Sequence, residues 1–192
     1  MNDDDKHKSG PVVVDDSALL LVVDMQLGLI NRHTEHLVPA IERVQRAFPR
    51  VLFTRFYNPD PSPFRRFLNY DKFARNGPEF PLAVLPRPDA EIFDKPSYTC
   101  LACGVDEYIE RAEPSAVFLC GISTEACVLK TAADLFERGV RCYLLEDLCG
   151  SDKGPEFHHM AVRLISELIG RHHIISLERL TFPAVATAGE RA

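Results

Sequence analysis

The feature that most constrains the fold is an apolar run at residues 18–23, which reads ALLLVV. A strand with one face in solvent alternates apolar and polar residues, whereas this run is apolar at every position. Uninterrupted apolar strands are typical of parallel sheets, because helices cover both faces of such sheets. Residues 116–120, AVFLC, have the same character. The chain is therefore predicted to contain a parallel sheet.

Segments with helical periodicity separate the predicted strands. Apolar side chains recur at helical spacing in four segments, residues 36–48, 105–111, 124–138 and 156–169. Further short strands are predicted at residues 51–54, 92–93, 140–145 and 174–175. Alternation of this kind predicts an α/β fold, a three-layer α/β/α domain with a six-stranded parallel sheet. As a working hypothesis, the strand order is 3-2-1-4-5-6, in which strands 1 and 4 are neighbours.

The domain is predicted to occupy residues 11–181 without an internal boundary. Residues 1–10 are interpreted as a disordered tail or a cloning remnant, and residues 182–192 as a flexible C-terminal tail. The stretch from residue 56 to 88 is rich in proline and aromatic residues and has no clean period. Long connections without secondary structure are usually functional, so we expect this stretch to cover or line the site.

Composition excludes several classes of function. The formal charge of −6 argues against a nucleic-acid surface, which normally carries a basic stripe. No apolar run reaches the roughly 18 residues of a spanning helix, so we expect no membrane partner. The polar N-terminal segment has no apolar core of a signal peptide, and we therefore expect a cytoplasmic protein with six reduced cysteines. Cys100 and Cys103 form a lone CxxC, which predicts neither a zinc site nor a redox site without further ligands.

Three reactive side chains follow predicted strands. Asp24 ends the first strand, Lys95 follows the third, and Cys127 lies seven residues after Cys120, in the first turn of a helix. Ligands of open α/β sheets bind beyond the carboxyl ends of the strands, at the point where the strand order reverses. Asp24, Lys95 and Cys127 are therefore predicted to meet at one edge of the sheet.

A thiol, a carboxylate and an ammonium group form a plausible nucleophilic site. Proton transfer from a free thiol to an unperturbed carboxylate is uphill by about 6 kcal/mol. A helix N-terminus and Lys95 are expected to favour the thiolate and lower this cost. Glu125 lies about 200° from Cys127 around a helix and is expected to point elsewhere. Taken singly, each of the three also has an ordinary structural interpretation, as a turn residue, a solvated lysine and a buried thiol.

Three segments resemble the signature segments of the isochorismatase-like cysteine hydrolases, relatives of nicotinamidases and N-carbamoylsarcosine amidohydrolase. They are LLVVDMQ at residues 20–26, FDKPSYTCL at 93–101 and LCGISTEACV at 119–128. The resemblance runs from about residue 18 to 176. It implies a six-stranded parallel sheet of the order given above and a catalytic triad of Asp24, Lys95 and Cys127.

The resemblance carries further expectations for the site and the assembly. It implies a cis peptide between Ile122 and Ser123, in the turn before the cysteine. Backbone N–H groups near Ser123, Ala126 and Cys127 are expected to hold an oxyanion. Members of the superfamily are usually oligomeric, so we expect a homo-oligomer, either a dimer or a tetramer.

Departures from the nicotinamidase pattern narrow the chemistry. Nicotinamidases carry an Asp-x-His…His metal motif after the second strand, whereas this chain has no histidine between His36 and His158. We therefore expect no metal and no other cofactor. The remaining histidine pairs, His158-His159 and His172-His173, are expected to be solvated. The predicted function is metal-independent hydrolysis of a C–N bond in a small amide or ureido compound, through a thioester.

Two alternatives remain open at this stage. One is a vinyl-ether hydrolase of the isochorismatase type, in which Asp24 is a general acid and Cys127 is dispensable. The other is a non-catalytic module that binds a protein partner. Candidates for the wall of the substrate pocket are Gln26, Phe56, Tyr57 and Tyr98. Candidates for binding a substrate carboxylate are Arg55, Arg65, Arg66 and Arg87.

Overall fold

A computed structural model of the chain describes residues 10–182. Its main sheet has six parallel strands, in the spatial order β4-β3-β2-β5-β6-β7. The strands are β2 (Leu19–Val23), β3 (Arg50–Phe56), β4 (Glu91–Lys95), β5 (Val117–Ile122), β6 (Cys142–Gly150) and β7 (Ile174–Ile175). Numbered among themselves, these six strands have the order 3-2-1-4-5-6. The predicted fold class and strand order are confirmed.

In the described part of the chain, five α-helices accompany the sheet. They are α1 (Leu37–Val44), α2 (Pro63–Leu68), α3 (Val105–Ala112), α4 (Leu129–Glu137) and α5 (Pro155–Ile169). Helix α2 lies in the stretch that shows no sequence period, yet its start carries ordinary signals. The Ser62 hydroxyl accepts from the backbone N–H of Arg65 at 3.1 Å, and Pro63 occupies the first turn. Within residues 10–182, no helix has the length and apolar character needed to cross a bilayer.

A second, two-stranded sheet joins the two ends of the described chain. Strand β1 (Val12–Val13) pairs in parallel with β8 (Leu180–Thr181). The ring of Phe182, which the sequence assigned to the tail, lies 5.6 Å from the ring of Phe48 in an edge-to-face contact. Gly10, the last residue of the proposed N-terminal tail, accepts from the Arg179 guanidinium at 3.1 Å. The rest of the two proposed tails, residues 1–9 and 183–192, lies outside the described residues.

The centre of the sheet places two chain segments side by side at its carboxyl edge. All five residues of β2 are buried between β3 and β5. Gly121 of β5 pairs with Val23 of β2 and has a φ of 118°. A Cβ atom on Gly121 would lie 2.1 Å from the carbonyl oxygen of Val23, so only glycine allows this approach. Asp24, which follows β2, and Ile122, the last residue of β5, are therefore neighbours.

A buried glutamine orders the proline-rich stretch against the sheet. The Gln26 amide donates to the carbonyls of Phe56 and Phe80 at 3.0 and 2.7 Å, and its oxygen accepts from the Phe56 N–H at 2.7 Å. The rings of Phe64 and Phe73 pack edge-to-face on Phe56. Helix α2 and the following loop are thereby held over the carboxyl end of β3.

Candidate active site

Asp24 follows β2 directly and is fully buried. Its backbone adopts the left-handed conformation, with a φ of 46°. The hydroxyl of Thr54, on the neighbouring strand β3, donates to Asp24 Oδ1 at 2.8 Å. The Asp24 N–H in turn donates to the Thr54 carbonyl at 3.2 Å. Adjacent strands thus fix both the backbone and the carboxylate of Asp24.

Lys95 ends β4 and joins the other two predicted residues. Its fully buried Nζ lies 2.7 Å from Asp24 Oδ2 and 3.5 Å from Cys127 Sγ. The same ammonium donates to the carbonyls of Ser97 and Tyr98 at 2.8 and 3.3 Å. The structure therefore brings Asp24, Lys95 and Cys127 together at the carboxyl edge of the sheet.

Cys127 lies in a single π-helical turn, Thr124–Val128, between β5 and α4. The Ile122–Ser123 peptide that leads into this turn is cis. The Ser123 carbonyl accepts from the N–H groups of Ala126 and Val128 at 3.1 and 3.3 Å. Single π-turns occur often at functional sites. Here the turn carries the thiol, which is buried except for its face toward a cavity.

The electrostatic environment keeps the thiol protonated in the free protein. Burial raises the pKa of Cys127 well above its ordinary value, and the Asp24 carboxylate raises it further. The Lys95 ammonium opposes this shift but does not cancel it. Burial works against the charge of Lys95, yet attraction by the Asp24 carboxylate raises the lysine pKa above its ordinary value. Asp24 and Lys95 therefore form the ion pair, and the Lys95 ammonium faces a neutral Cys127 thiol at 3.5 Å.

A cavity of about 400 Å³ opens beside Asp24 and Cys127. Two of the predicted wall residues, Phe56 and Tyr98, line it. The remaining apolar and aromatic wall, which sequence reasoning missed, consists of Leu29, Phe64, Leu68, Tyr70 and Phe73. Burial, followed by the charge of Asp152, raises the pKa of Tyr70 to about 12, so this phenol is neutral at ordinary pH.

Two predicted wall residues do not border the cavity. The side chain of Gln26 is occupied by the hydrogen bonds to backbone groups that order the proline-rich stretch. The ring of Tyr57 lies under the guanidinium of Arg75, 3.8 Å from ring centroid to carbon. Successive residues on a strand point to opposite faces, so Tyr57 is directed away from the side on which Phe56 meets the cavity.

The four arginines considered for a substrate carboxylate lie outside the cavity wall. Three of them pair with nearby aspartates, Arg55 with Asp94, Arg65 with Asp71 and Arg87 with Asp89. The guanidinium of Arg66 lies over the ring of Phe67. Their charges are therefore used in local structure.

Glu125 borders the cavity, and the expectation that it points elsewhere is wrong. Its carboxylate accepts from the Ser151 hydroxyl at 2.9 Å and lies 3.4 Å from Lys153 Nζ. A rotation of about 200° between Glu125 and Cys127 separates the two side chains for a ligand that lies beside a helix. This cavity instead lies beyond the helix end. Side chains of a first turn tilt toward the N-terminus, and several of them can border such a cavity.

The histidine pairs are not simply solvated. Nδ1 of His158 lies 3.0 Å from the hydroxyl of Thr124, which also donates to the Gly150 carbonyl at 2.9 Å. Burial and then the proximity of His159 lower the pKa of His158. His173 is half-buried and lies edge-on to Tyr143. Both residues therefore contribute to packing around the turn and the last strands.

The donor set for a metal ion is lacking in the described part of the chain. Among residues 10–182, no group of three or more His, Cys, Asp and Glu side chains is arranged to hold an ion. All six cysteines are free thiols, and Cys103 is the exposed one. No step of the chemistry is therefore assigned to a bound metal.

Comparison with known proteins identifies relatives over most of the chain. The family model for the isochorismatase domain matches residues 18–173. A secreted isochorismatase effector, Isc1, of Phytophthora sojae is 31% identical over 104 residues, which cover 53% of this chain and 48% of that protein. Isochorismatase domain-containing protein 2 of Bos taurus is 34% identical over 59 residues, or 31% of this chain and 29% of that protein. The matched segments thus span about half or less of these curated relatives.

Solved structures share the architecture. An isochorismatase-like hydrolase from Alkaliphilus metalliredigens superposes with a TM-score of 0.75 at 17% identity, over 84% of this chain and 96% of that one. PnC1 from L. infantum, solved in complex with nicotinate, gives a TM-score of 0.73 at 18% identity, over 89% and 98% of the two chains. At such identities the likeness establishes the fold alone.

Proposed function

The chain belongs to the isochorismatase family, and from this membership and the geometry of its candidate site we propose that it is a metal-independent cysteine hydrolase. Its substrate is a small amide or ureido compound, and the reaction cleaves a C–N bond through a thioester. The observation that carries the proposal is the contact of one buried ammonium, Lys95, with both Asp24 and Cys127 at the wall of a cavity.

The first half-reaction forms the thioester. Asp24 takes the proton of the Cys127 thiol while the sulfur adds to the substrate carbonyl carbon. Because burial keeps the resting thiol protonated, this proton transfer accompanies C–S bond formation rather than preceding it. The oxyanion is held by backbone N–H groups near Ser123 and Cys127. The third predicted donor, the Ala126 N–H, already donates to the Ser123 carbonyl at 3.1 Å. Collapse breaks the C–N bond, and Asp24 returns the proton to the leaving nitrogen.

The second half-reaction releases the acid. Water attacks the thioester carbonyl and gives a proton to Asp24, the C–S bond breaks, and the Cys127 thiol is regenerated. Lys95 stays protonated throughout and orients the carboxylate. Its contacts with Asp24 and with two backbone carbonyls fix that orientation before substrate enters.

The composition of the cavity wall favours this function over vinyl-ether hydrolysis. Isochorismate is a dicarboxylate, and its recognition calls for cationic side chains. Among the described residues that line the cavity, Lys153 is the one cation, and Glu125 faces it at 3.4 Å. Lys95 contacts Asp24 and Cys127 but does not line the cavity. A purely protein-binding role would leave the buried Asp24–Lys95 pair without a purpose, although such a pair costs desolvation energy.

Single-residue variants test the proposal. Ammonia release from a panel of small amides and ureido compounds is measured for wild type, Cys127→Ala, Asp24→Asn and the control Cys103→Ala. We expect the first two variants to lose activity by at least about 10³-fold, since nucleophile and base act as a unit, and the control to retain it. A substrate-derived mass increment on Cys127, removed by hydroxylamine, identifies the thioester. Ammonia release that survives in Cys127→Ala but not in Asp24→Asn refutes covalent catalysis by the thiol.

We also propose a cytoplasmic homo-oligomer, a dimer or a tetramer. Six free thiols are compatible with a reducing compartment. Four large apolar side chains are exposed along the outer side of α5, Phe157, Met160, Leu164 and Leu168. Light scattering on the eluting protein measures the mass of the assembly, and a mass of one chain refutes the oligomer.

A further inference from the structure

The cavity has a polar end that the proposed chemistry does not use. Ser123, Glu125, Asp152 and Lys153 form this end, and the Ser123 hydroxyl donates to Asp152. Apart from the Asp24–Lys95 pair, the described wall thus carries two carboxylates and one ammonium. The Lys153 side chain is 57% exposed, and its Nζ lies 3.4 Å from Glu125 Oε1. The net charge of this end is therefore negative.

One oxygen of Glu125 lacks a donor. The side chain is only 12% exposed, and Oε1 accepts from Ser151 at 2.9 Å and faces Lys153. Oε2 is buried, and no donor among residues 10–182 reaches it. Because Oε2 is closed off from the cavity, a ligand meets this carboxylate through its charge and through Oε1. The missing donor at Oε2 leaves that charge less well compensated than in a fully bonded carboxylate.

The opposite end of the cavity is apolar. Phe56 contacts both Phe64 and Phe73 edge-to-face, and Tyr98 packs on Phe64 with ring centroids 5.0 Å apart. This part of the wall carries no formal charge and suits the apolar portion of a ligand. Neither end offers a free cation to a carboxylate within the described part of the wall.

We propose that the cavity selects small amides or ureido compounds that carry a protonated amine on an apolar frame, and that Glu125 is the specificity-determining residue that receives the amine. The proposal rests on the proposed function, because it concerns the same cavity. It adds that substrates with a carboxylate are rejected. Lys153 limits the preference, since its ammonium competes with the substrate for Glu125.

Charged thiol reagents test this selectivity before the substrate is identified. Aminoethyl, sulfonatoethyl and methyl methanethiosulfonate carry a positive, a negative and no charge. In each case the Cys127 thiolate displaces methanesulfinate and forms a mixed disulfide, so no further oxidant is required. Rate constants are measured for each cysteine by site-resolved mass spectrometry. The exposed Cys103 serves as the internal reference, because the ratio of its rate constants with the charged reagents gives their intrinsic relative reactivity in the same sample.

The aminoethyl reagent is expected to react with Cys127 about tenfold faster than the sulfonatoethyl reagent, relative to Cys103, because Glu125 and Asp152 outnumber the single ammonium of Lys153 at this end of the cavity. Glu125→Gln should bring this ratio back to that of Cys103. Lys153→Met should increase it, since the Glu125 carboxylate then loses its partner. Glu167→Gln, which removes a 70% exposed carboxylate on α5, is the matched control and should leave the ratio unchanged.

Two further outcomes separate the inference from the proposed function. The selectivity is refuted if the ratio of the aminoethyl to the sulfonatoethyl rate constant is the same at Cys127 as at Cys103. It is also refuted if Cys127 prefers the sulfonate and Lys153→Met abolishes that preference. Neither result contradicts the role of Cys127 as the nucleophile. If the neutral methyl reagent reacts with Cys127 no faster than with the fully buried Cys120, Cys127 is not a reactive nucleophile. That result refutes both the proposed function and the proposed selectivity.

Discussion

Replacement of Thr54 by valine tests whether β3 positions the carboxylate of Asp24. The two side chains have the same shape, so the variant removes a hydroxyl without opening a cavity. The lost bond is the 2.8 Å contact to Asp24 Oδ1, together with a 3.3 Å contact from the Asp24 N–H. Lys95 would still hold Oδ2 at 2.7 Å, so the carboxylate keeps one of its two anchors.

The expected loss follows from the strength of a hydrogen bond to a charged group. Such a bond contributes about 1.5–3 kcal/mol, and about 1.36 kcal/mol corresponds to a factor of ten. If the whole contribution is expressed in the transition state, the hydrolysis rate falls by about 10- to 150-fold. The rate of Cys127 alkylation by iodoacetamide should fall as well, and its pH profile should shift, because the proton acceptor is no longer fixed.

Alkylation rates are measured across neutral and alkaline pH by mass spectrometry, beside urea unfolding, for wild type and three variants. Thr54→Ser keeps the hydroxyl and should restore the wild-type profile that Thr54→Val loses. Thr131→Val is the matched control, because Thr131 is equally buried but its hydroxyl accepts from the Cys100 N–H instead. A Thr54→Val protein with a wild-type profile, or one affected no more than Thr131→Val, would refute the positioning role.

Three other perturbations follow from the fold. Burial raises the pKa of Cys142 to about 12. The unfolded state loses this proton from about pH 9 upward, while the folded state keeps it. The contribution of Cys142 to the free energy of unfolding is therefore full below about pH 9 and has fallen by about 2 kcal/mol at about pH 10.5. Urea titrations under reducing conditions should show that part of the alkaline loss missing in Cys142→Ala. Gly121→Ala should destabilise the protein by about 3 kcal/mol or more, since the new Cβ collides with the Val23 backbone, whereas Gly139→Ala, which meets nothing within 4 Å, should cost about 1–2 kcal/mol. Gln26→Leu should cost about 2–5 kcal/mol by unpairing buried backbone groups, and hydrogen exchange should then rise across residues 57–90.

The sheet and the meeting of three reactive residues were predictable because their signals are local. An apolar run such as residues 18–23 indicates a strand buried on both faces, and the polar residue that follows it marks the carboxyl edge. Parallel strands bring all such edges to one side, so Asp24, Lys95 and Cys127 converge whatever path the loops take. The small sheet of β1 and β8 was missed because two residues per strand leave no periodic pattern.

The cavity wall was not predictable, because it depends on contacts between distant segments. Tyr70 and Phe73 reach the cavity only because Gln26 and the Phe56 cluster fold the proline-rich stretch back over β3. Asp152 and Lys153 come from the loop after β6, which has no motif of its own. Glu125 was misplaced because its position was judged from helix rotation rather than from the helix end.

The contacts of Lys95 show how its charge is shared between Asp24 and Cys127. The sequence suggested that this charge favours the Cys127 thiolate. Its Nζ lies 2.7 Å from Asp24 and 3.5 Å from Cys127, so the carboxylate receives the closer contact. An ammonium has three donors, and the Asp24 carboxylate and the Ser97 carbonyl take the two shortest contacts. The pair costs several kcal/mol of desolvation per ion, which a purely structural role could avoid with apolar side chains. Its placement at the cavity therefore favours a base held ready for the thiol proton, with the thiol kept neutral until a substrate carbonyl arrives.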